Sequence, residues 1–145
     1  MRIDLVKELS AAGLVAIGGG LGALTRYVAG LAMVAVFGAR FPFGTLAVNI
    51  AGCFLAGLLV GRVLPMHAAD IGTGHGASLA SALPTSTRLI ALVGFLGGLT
   101  TFSAFGLETV ELARRGSVGL AGVNVALNVV LGLGAAWLGM RVAAR

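Results

Sequence analysis

Long runs of uncharged, mostly apolar residues, separated by single charged positions, make up most of the chain. Four such runs, of 17, 21, 19 and 25 residues, cover positions 9–25, 41–61, 89–107 and 116–140. A helix that crosses the hydrocarbon core of a bilayer needs roughly 17–25 mainly apolar residues. The runs lack the alternation of apolar and polar residues that marks a transmembrane β-strand. The pattern therefore predicts an all-α protein with four transmembrane helices, near residues 9–33, 42–62, 89–112 and 117–140.

The amino-acid composition excludes a water-soluble protein. Hydrophobic residues account for 58% of the 145 positions, and glycine occupies 24 of them. Charged residues account for only 10%, whereas ordinary soluble domains contain about 25%. Too few polar side chains remain to cover a soluble fold, and the chain is too hydrophobic to be disordered. We therefore expect a small integral protein of the cell membrane, surrounded by lipid, in which residues 1–145 form one domain.

The distribution of charge bears on partners and on orientation. The formal net charge is +5, but the basic residues stand singly at predicted helix ends, which favours membrane anchors over a nucleic-acid partner. With four spans, the side with both termini and the middle loop carries six Lys or Arg residues, and the opposite side carries four. This small excess leaves two interpretations open: insertion with the termini inside, or insertion in both directions with antiparallel pairing.

Residues suited to catalysis are scarce and scattered. His67 and His75 stand in or beside a Gly/Ser/Ala-rich segment, residues 68–86, which is predicted to be a surface loop without chemistry. Cys53 has no second cysteine to pair with. The sequence offers neither a nucleophile–base pair nor a cluster of metal ligands, so we do not expect an enzyme.

Polar residues inside the predicted spans are candidates for an ion pathway, because polar groups are costly in lipid and tend to face a partner or water. Asn124 and Asn128 are four residues apart and therefore share one face of the fourth span. Amide donors without fixed charge suit an anion pathway, although they could equally serve only to join neighbouring helices. The full set is Arg26, Thr45, Asn49, Thr100, Thr101, Ser103, Glu108, Asn124 and Asn128.

The third span carries a local pattern that disfavours a continuous helix. Gly97 and Gly98 stand close to Thr100 and Thr101 in mid-span. Each glycine costs about 1 kcal/mol relative to alanine, and threonine hydroxyls compete for backbone carbonyls. We predict a break at the glycine pair, where freed carbonyls could bind a small cation such as Na⁺. The alternative is close helix packing through Gly94 and Gly98.

Phe102 and Phe105 share a face just after the predicted break. The edge of an aromatic ring is electropositive and can contact an anion, while Thr101 and Ser103 can donate hydrogen bonds. Taken alone, two phenylalanines at this spacing are far more often part of ordinary core packing.

Four motifs lie one in each predicted span, at residues 18–27, 42–49, 94–105 and 124–128. They read GGGLGALTRY, PFGTLAVN, GFLGGLTTFSAF and NVALN. In this order they resemble the Fluc/CrcB family of fluoride channels. The resemblance implies passive export of cytoplasmic fluoride through an antiparallel, dual-topology homodimer. It also implies two pores, each lined by both subunits, and one structural Na⁺ at the centre of the dimer.

The resemblance also implies roles for individual residues. Backbone carbonyls of Gly97 and Thr100 would bind Na⁺, and Arg26 would stand at a vestibule that attracts anions. Gly132, one turn beyond Asn128, offers no hydroxyl to extend the polar track of the fourth span. The implied fluoride pore comprises Phe102, Phe105, Asn49, Ser103 and Thr101, and the implied polar track comprises Asn124, Asn128 and Glu108.

Two other classes of function compete with the channel. A coupled exporter of the small multidrug-resistance type also has four helices and dual topology, but it needs a carboxylate in the first span, and residues 9–25 contain none. A non-conducting structural subunit would need only the glycine pairs. It would leave the Thr-Thr-Phe-Ser-Ala-Phe run and the three asparagines without a role.

Overall fold

The computed structural model describes residues 5–62 and 84–144. Helix α1 covers Leu5–Phe37, α2 covers Phe43–Gly61, α4 covers Phe102–Arg114 and α5 covers Val118–Ala143. Helix α3 consists of three consecutive segments, Thr85–Thr87, Arg88–Leu96 and Gly97–Leu99. His67, His75 and most of segment 68–86 lie outside the described residues. Within the described ranges every regular element is helical.

The four predicted transmembrane spans are confirmed. Helices α1, α2 and α5 contain 33, 19 and 26 residues, and α3 and α4 together form a third span of 30 residues. Each is long and apolar enough to cross a membrane, so the chain is a multi-pass membrane protein.

The first helix is longer than predicted. The prediction placed the ends of the spans near charged residues, but a charged side chain does not by itself end a helix. Lys7 and Glu8 lie within α1, and the chain leaves the helix only at Gly38, which has a φ of 76°. A helix of 33 residues is about 50 Å long, against a hydrocarbon core of about 30 Å. Part of α1 must therefore extend beyond the hydrocarbon core.

Glycines bring the helices into backbone contact. A Cβ at Gly18 or Gly22 of α1 would collide with the carbonyl oxygen of Ile90 or Phe95 in α3. Likewise, a Cβ at Gly57 of α2 would collide with the carbonyl oxygen of Ala136 in α5. Small residues at helix interfaces allow this approach in membranes, where dispersion contacts between backbones replace the hydrophobic effect.

The interruption of the third span does not lie at the glycine pair, so that prediction of its position is wrong. Gly97 is helical, with φ −64° and ψ −35°. Thr100 and Thr101 are extended, with φ and ψ of −81° and 153° and of −151° and 120°. Gly98 instead packs against the backbone of Gly19 in α1, as the packing alternative proposed. The glycine therefore serves helix packing, and the two threonines carry the change of backbone direction.

Candidate functional site

One face of α2 is directed at the interruption of the third span. Thr45, Asn49 and Gly52 follow at intervals of four and three residues, so they lie on one side of the helix. A Cβ at Gly52 would collide with the methyl group of Thr100. The absence of a side chain at this position therefore lets α2 approach the extended residues directly.

The side chain of Asn49 forms hydrogen bonds with both the N–H and the carbonyl of Thr101. Its Oδ1 accepts a hydrogen bond from the Thr101 N–H at 2.8 Å, and its Nδ2 donates to the Thr101 carbonyl at 3.2 Å. Backbone groups released from a helix inside a membrane must find partners, because hydrocarbon supplies none. Asn49 supplies one donor and one acceptor, and it thereby satisfies the extended backbone at membrane depth.

Thr101 also begins the next helix. Its hydroxyl accepts a hydrogen bond from the N–H of Ala104 at 3.1 Å, which satisfies one of the free amides at the start of α4. The same hydroxyl lies 3.1 Å from the hydroxyl of Ser103. Only 9% of Thr101 is exposed. The N-cap hydroxyl of α4 is thus one of the two hydroxyls predicted to face the pore.

Amide and hydroxyl groups continue this network from α2 into α5 and α4. Asn49 Nδ2 donates to Asn128 Oδ1 at 3.0 Å, and Asn128 Nδ2 donates to Asn124 Oδ1 at 3.0 Å. Asn124 Nδ2 donates to the Thr109 hydroxyl at 2.8 Å, which in turn donates to the Phe105 carbonyl at 2.7 Å. Asn124 is completely buried. We call Asn49, Thr101, Ser103, Thr109, Asn124 and Asn128 the amide–hydroxyl network.

A second polar pair lies one turn from this network on the same face of α2. The Thr45 hydroxyl donates to Glu108 Oε1 at 2.8 Å. The other carboxylate oxygen, Oε2, is buried and has no hydrogen-bond partner within the described part of the chain. The carboxylate is therefore only partly satisfied and can accept a further donor.

The two phenylalanines predicted to line the pore contact each other, and Phe102 is exposed whereas Phe105 is partly buried. Their ring centroids are 5.5 Å apart at an angle of 60°, an edge-to-face arrangement. Phe102 is 82% exposed, and Ser103 beside it is also exposed. Phe102 therefore takes no part in the core of the single chain, so core packing within this chain does not account for it.

The carbonyls of Gly97 and Thr100 lose their usual helical donors. In a continuous helix the N–H of residue i+4 would bind each of them. The N–H of Thr101 binds Asn49 instead, and the N–H of Ala104 binds the Thr101 hydroxyl. Neither carbonyl oxygen is therefore bound by its usual helical donor, and backbone carbonyl oxygens are ligands that suit a small hard cation.

The structure brings most of the predicted site residues together, although not all of them. Arg26 lies one turn beyond Gly22 on α1, partly buried, and it joins neither the network nor any described ion pair. Gly132, which has no hydroxyl, lies beside Cys53. A Cβ added at Gly132 would be 3.6 Å from the Cys53 Sγ. Within the described residues, the amide–hydroxyl network therefore does not continue past Asn128 through a hydroxyl at that position.

Sequence reasoning missed Thr109, and it listed Thr45 among the polar residues of the spans without giving it a particular role. Thr109 is the acceptor for Asn124, and Thr45 is the partner of Glu108. A signal existed for both: Thr45 precedes Asn49 by one helical turn, and Thr109 follows Phe105 by one turn.

Comparison with known proteins gives a consistent result over nearly the whole chain. A family model described as "CrcB-like protein, Camphor Resistance (CrcB)" matches residues 13–140. The fluoride-specific ion channel FluC of Novosphingobium aromaticivorans is 43% identical over 136 residues, which cover 92% of this chain and 96% of the relative. FluC of Acidobacterium capsulatum is 41% identical over 131 residues, covering 90% and 94%. FluC of Vibrio campbellii is 39% identical over 140 residues, covering 95% and 98%.

Proposed function

Because this chain belongs to the CrcB-like protein family, we propose that it is a fluoride-specific ion channel that exports cytoplasmic fluoride passively across the cell membrane. The observation that carries the proposal is the amide–hydroxyl network, a continuous row of neutral donors in a membrane-spanning chain whose relatives are fluoride channels. The chain is not an enzyme.

Neutral donors suit the transported ion. Fluoride is small and strongly hydrated, so a selective pathway must replace its water with hydrogen-bond donors. Amides and hydroxyls do this without the fixed positive charge that would hold the ion in place. Ser103 and Thr101 are proposed to serve as these donors beside the rings of Phe102 and Phe105. Asn49, whose two amide hydrogens bind Thr101 and Asn128, is proposed to join them when fluoride replaces one of these acceptors. The electropositive ring edges would complete the contact with the anion.

The rest of the network is proposed to extend this pathway. Asn128 and Asn124 lead from Asn49 towards the end of the molecule at which α4 finishes. Glu108 stands near that end, and Arg26 on α1 would attract anions in a vestibule. These roles follow from position and chemistry, and they are proposed together with the pore.

We propose further that two copies assemble in opposite orientations. Phe102, Ser103 and Gly97 are exposed in the single chain, close to the interruption in the middle of the third span. A hydroxyl or a carbonyl facing lipid tails is costly, and this supports a partner that covers the surface. A second copy would supply matching polar groups, and six Lys or Arg residues on one side against four on the other are compatible with insertion in both directions.

Backbone carbonyls at the interruption of the third span are proposed to bind a structural Na⁺. The carbonyls of Gly97 and Thr100, whose helical donors are engaged elsewhere, would hold it at the contact between two copies. When bound, the cation would lower the electrostatic cost of an anion in a low-dielectric surrounding. Asn49 would act indirectly, because it removes the Thr101 N–H from Gly97.

Fluoride efflux from reconstituted liposomes tests the proposal. We expect fluoride to leave rapidly down its own gradient, with no coupling ion gradient, and chloride to leave hardly at all. Protein-free liposomes provide the leak rate. Efflux that depends on a proton gradient would favour a coupled exporter, and equal chloride flux would contradict fluoride selectivity.

A further inference from the structure

The hydrogen bonds that link the three asparagines of the amide–hydroxyl network run in one direction. The N–H of Thr101 donates to Asn49 Oδ1 at 2.8 Å, and Asn49 Nδ2 donates to Asn128 Oδ1 at 3.0 Å. Asn128 Nδ2 donates to Asn124 Oδ1 at 3.0 Å, and Asn124 Nδ2 donates to the Thr109 hydroxyl at 2.8 Å. Each amide therefore accepts from the residue before it and donates to the residue after it. We call this series the amide row.

A backbone group fixes the direction at the first end of the amide row. A backbone N–H can only donate, so Thr101 must face the oxygen of the Asn49 amide and not its nitrogen. The nitrogen is then left to donate to the Thr101 carbonyl and to Asn128. A flipped Asn49 amide would set two donors against each other at the Thr101 N–H and two acceptors against each other at its carbonyl.

Thr109 fixes the same direction at the other end. Its hydroxyl has one hydrogen, which it donates to the Phe105 carbonyl at 2.7 Å. Only lone pairs remain on this oxygen, so Asn124 must present its amide nitrogen to Thr109 and turn its amide oxygen towards Asn128. Asn124 is completely buried, and a buried amide nitrogen without an acceptor would be costly. Thr109 supplies that acceptor.

The direction of the amide row places a donor on every asparagine oxygen. The Oδ1 atoms of Asn49, Asn128 and Asn124 each accept one of the hydrogen bonds described above. Asparagine occurs only at these three positions, and glutamine is absent from the sequence. An amide oxygen carries partial negative charge and repels an anion, whereas an amide N–H attracts one. The row therefore keeps all side-chain amide oxygens of the protein engaged with donors.

We propose that Thr109 is a positioning residue for anion passage: it orients Asn124, and with it the amide row, so that fluoride meets amide N–H groups and not amide oxygens. This inference rests on the proposed channel function. Fluoride accepts hydrogen bonds and cannot donate them, so it can join the row only in the place of an acceptor. A row with one fixed direction offers the ion the same kind of group, an N–H, at each asparagine.

Thr109→Val tests this role in liposomes, because valine has nearly the shape of threonine but no hydroxyl. We expect fluoride efflux to fall roughly tenfold, as for the loss of one buried hydrogen-bond partner, while size-exclusion chromatography shows an unchanged assembly. Thr109→Ser keeps the hydroxyl and should retain most of the wild-type rate. Thr25→Val is the matched control and should leave the rate unchanged. The Thr25 hydroxyl also donates to the carbonyl one turn earlier, that of Leu21 at 2.8 Å, but it is exposed and lies outside the network.

Nuclear magnetic resonance of the side-chain amides separates orientation from local packing. Protein labelled with ¹⁵N at asparagine gives only three side-chain NH₂ pairs, one from each residue of the amide row. In Thr109→Val we expect the Asn124 pair to shift most and the Asn128 and Asn49 pairs to shift with it, because each oxygen accepts from the next amide. Thr109→Ser should keep all three pairs close to their wild-type positions. A shift confined to Asn124 would assign Thr109 to local packing and overturn the proposal.

The efflux measurements can also overturn the positioning role. A wild-type rate in Thr109→Val, an equal loss in Thr25→Val, or a loss in Thr109→Ser as large as that in Thr109→Val would each do so. If Thr109→Val does not assemble, Thr109→Ala takes its place, and wild-type protein supplies a test without any variant. Rapid exchange of all three NH₂ pairs with deuterated water would show that the amide row is not formed. If wild-type protein carried no fluoride, the channel function itself would fail, whereas normal wild-type efflux leaves the variants and the amide spectra to judge the role of Thr109 alone.

Discussion

At the scale of single residues, Asn49 shows how one side chain can make an unusual backbone possible. An isolated extended stretch inside a membrane would leave several kcal/mol of unsatisfied backbone polar groups. Asn49 binds both the N–H and the carbonyl of Thr101, and its remaining amide hydrogen reaches Asn128. A carboxylate could not donate and an ammonium could not accept, whereas the asparagine amide supplies the two donors and the acceptor that these three bonds use.

The resemblance to the family selected Asn49 as a pore residue, but its contact with Thr101 could not be predicted. The two residues are 52 positions apart, and nothing in the sequence indicates which backbone group an amide side chain will bond. The same reason explains why Thr109 was missed. Its role depends on the packing of α4 against α5, which places its hydroxyl 2.8 Å from Asn124.

Phe102→Ile and Phe105→Ile test whether the ring edges contact the transported ion. Isoleucine retains hydrophobic bulk but has no electropositive edge. We expect at least one of the two variants to lower fluoride efflux by tenfold or more, while size-exclusion chromatography shows an unchanged assembly. Wild-type efflux in both variants would contradict a role for the rings in conduction, and loss of assembly would assign them to packing between copies.

At the scale of the helices, α3 packs closely against α1 because one segment of α3 has a wider turn than an α-helix. Segment Arg88–Leu96 is π-helical, so its carbonyls on one face recur five residues apart instead of four. The carbonyl oxygens of Ile90 and Phe95 have this spacing, and they meet Gly18 and Gly22, which are one α-helical turn apart. The π-helical turn therefore places two successive carbonyl oxygens of α3 at the spacing of Gly18 and Gly22 in α1. Sequence periodicity alone indicates a helix but not its hydrogen-bond register.

Gly18→Ala tests this contact. The added methyl group would overlap the carbonyl oxygen of Ile90, so the helices must separate or shift. We expect a loss of about 1–3 kcal/mol, as for other overpacked sites, seen as a lower midpoint temperature for retention of a monodisperse peak in detergent. Gly13→Ala on the same helix is the control, because no heavy atom lies within 4 Å of its added Cβ. Equal losses in both variants would mean that alanine is unfavourable in α1 for reasons unrelated to α3.

At the scale of the whole molecule, the single chain leaves a surface uncovered beside the interruption of the third span. Its helices are joined through backbone contacts and one polar network, yet Phe102, Ser103 and Gly97 stay uncovered beside the interruption of the third span. Exposed leucines and valines elsewhere on the helices face lipid without penalty. Polar groups at membrane depth do incur a penalty, and this is why the proposed assembly is built around this surface.

Opposite insertion of two copies can be tested by changing the charge balance. Glu8→Lys with Arg114→Gln changes the Lys and Arg counts from six against four to seven against three. Arg62→Gln with Arg88→Gln and Ala39→Lys changes them to four against five. Because Lys and Arg favour the cytoplasmic side, we expect each variant expressed alone to lose cellular fluoride resistance and the two expressed together to restore it. Full resistance from either variant alone would contradict antiparallel assembly.

The sequence by itself determined the membrane environment, the four spans and the family, because these depend on the length and polarity of local runs and on motifs in a fixed order. It also identified most residues of the amide–hydroxyl network, since polar groups are rare in a span. Only the tertiary structure decided where the third span is interrupted. Glycine and threonine both disfavour a helix locally, but Gly98 is used for contact with α1, whereas Thr101 finds Asn49 and caps α4. The tertiary structure also decided that Arg115 pairs with Glu111, whereas Arg40 forms no ion pair with residues 5–62 or 84–144, because ion pairing depends on distances that exist only after the helices have packed.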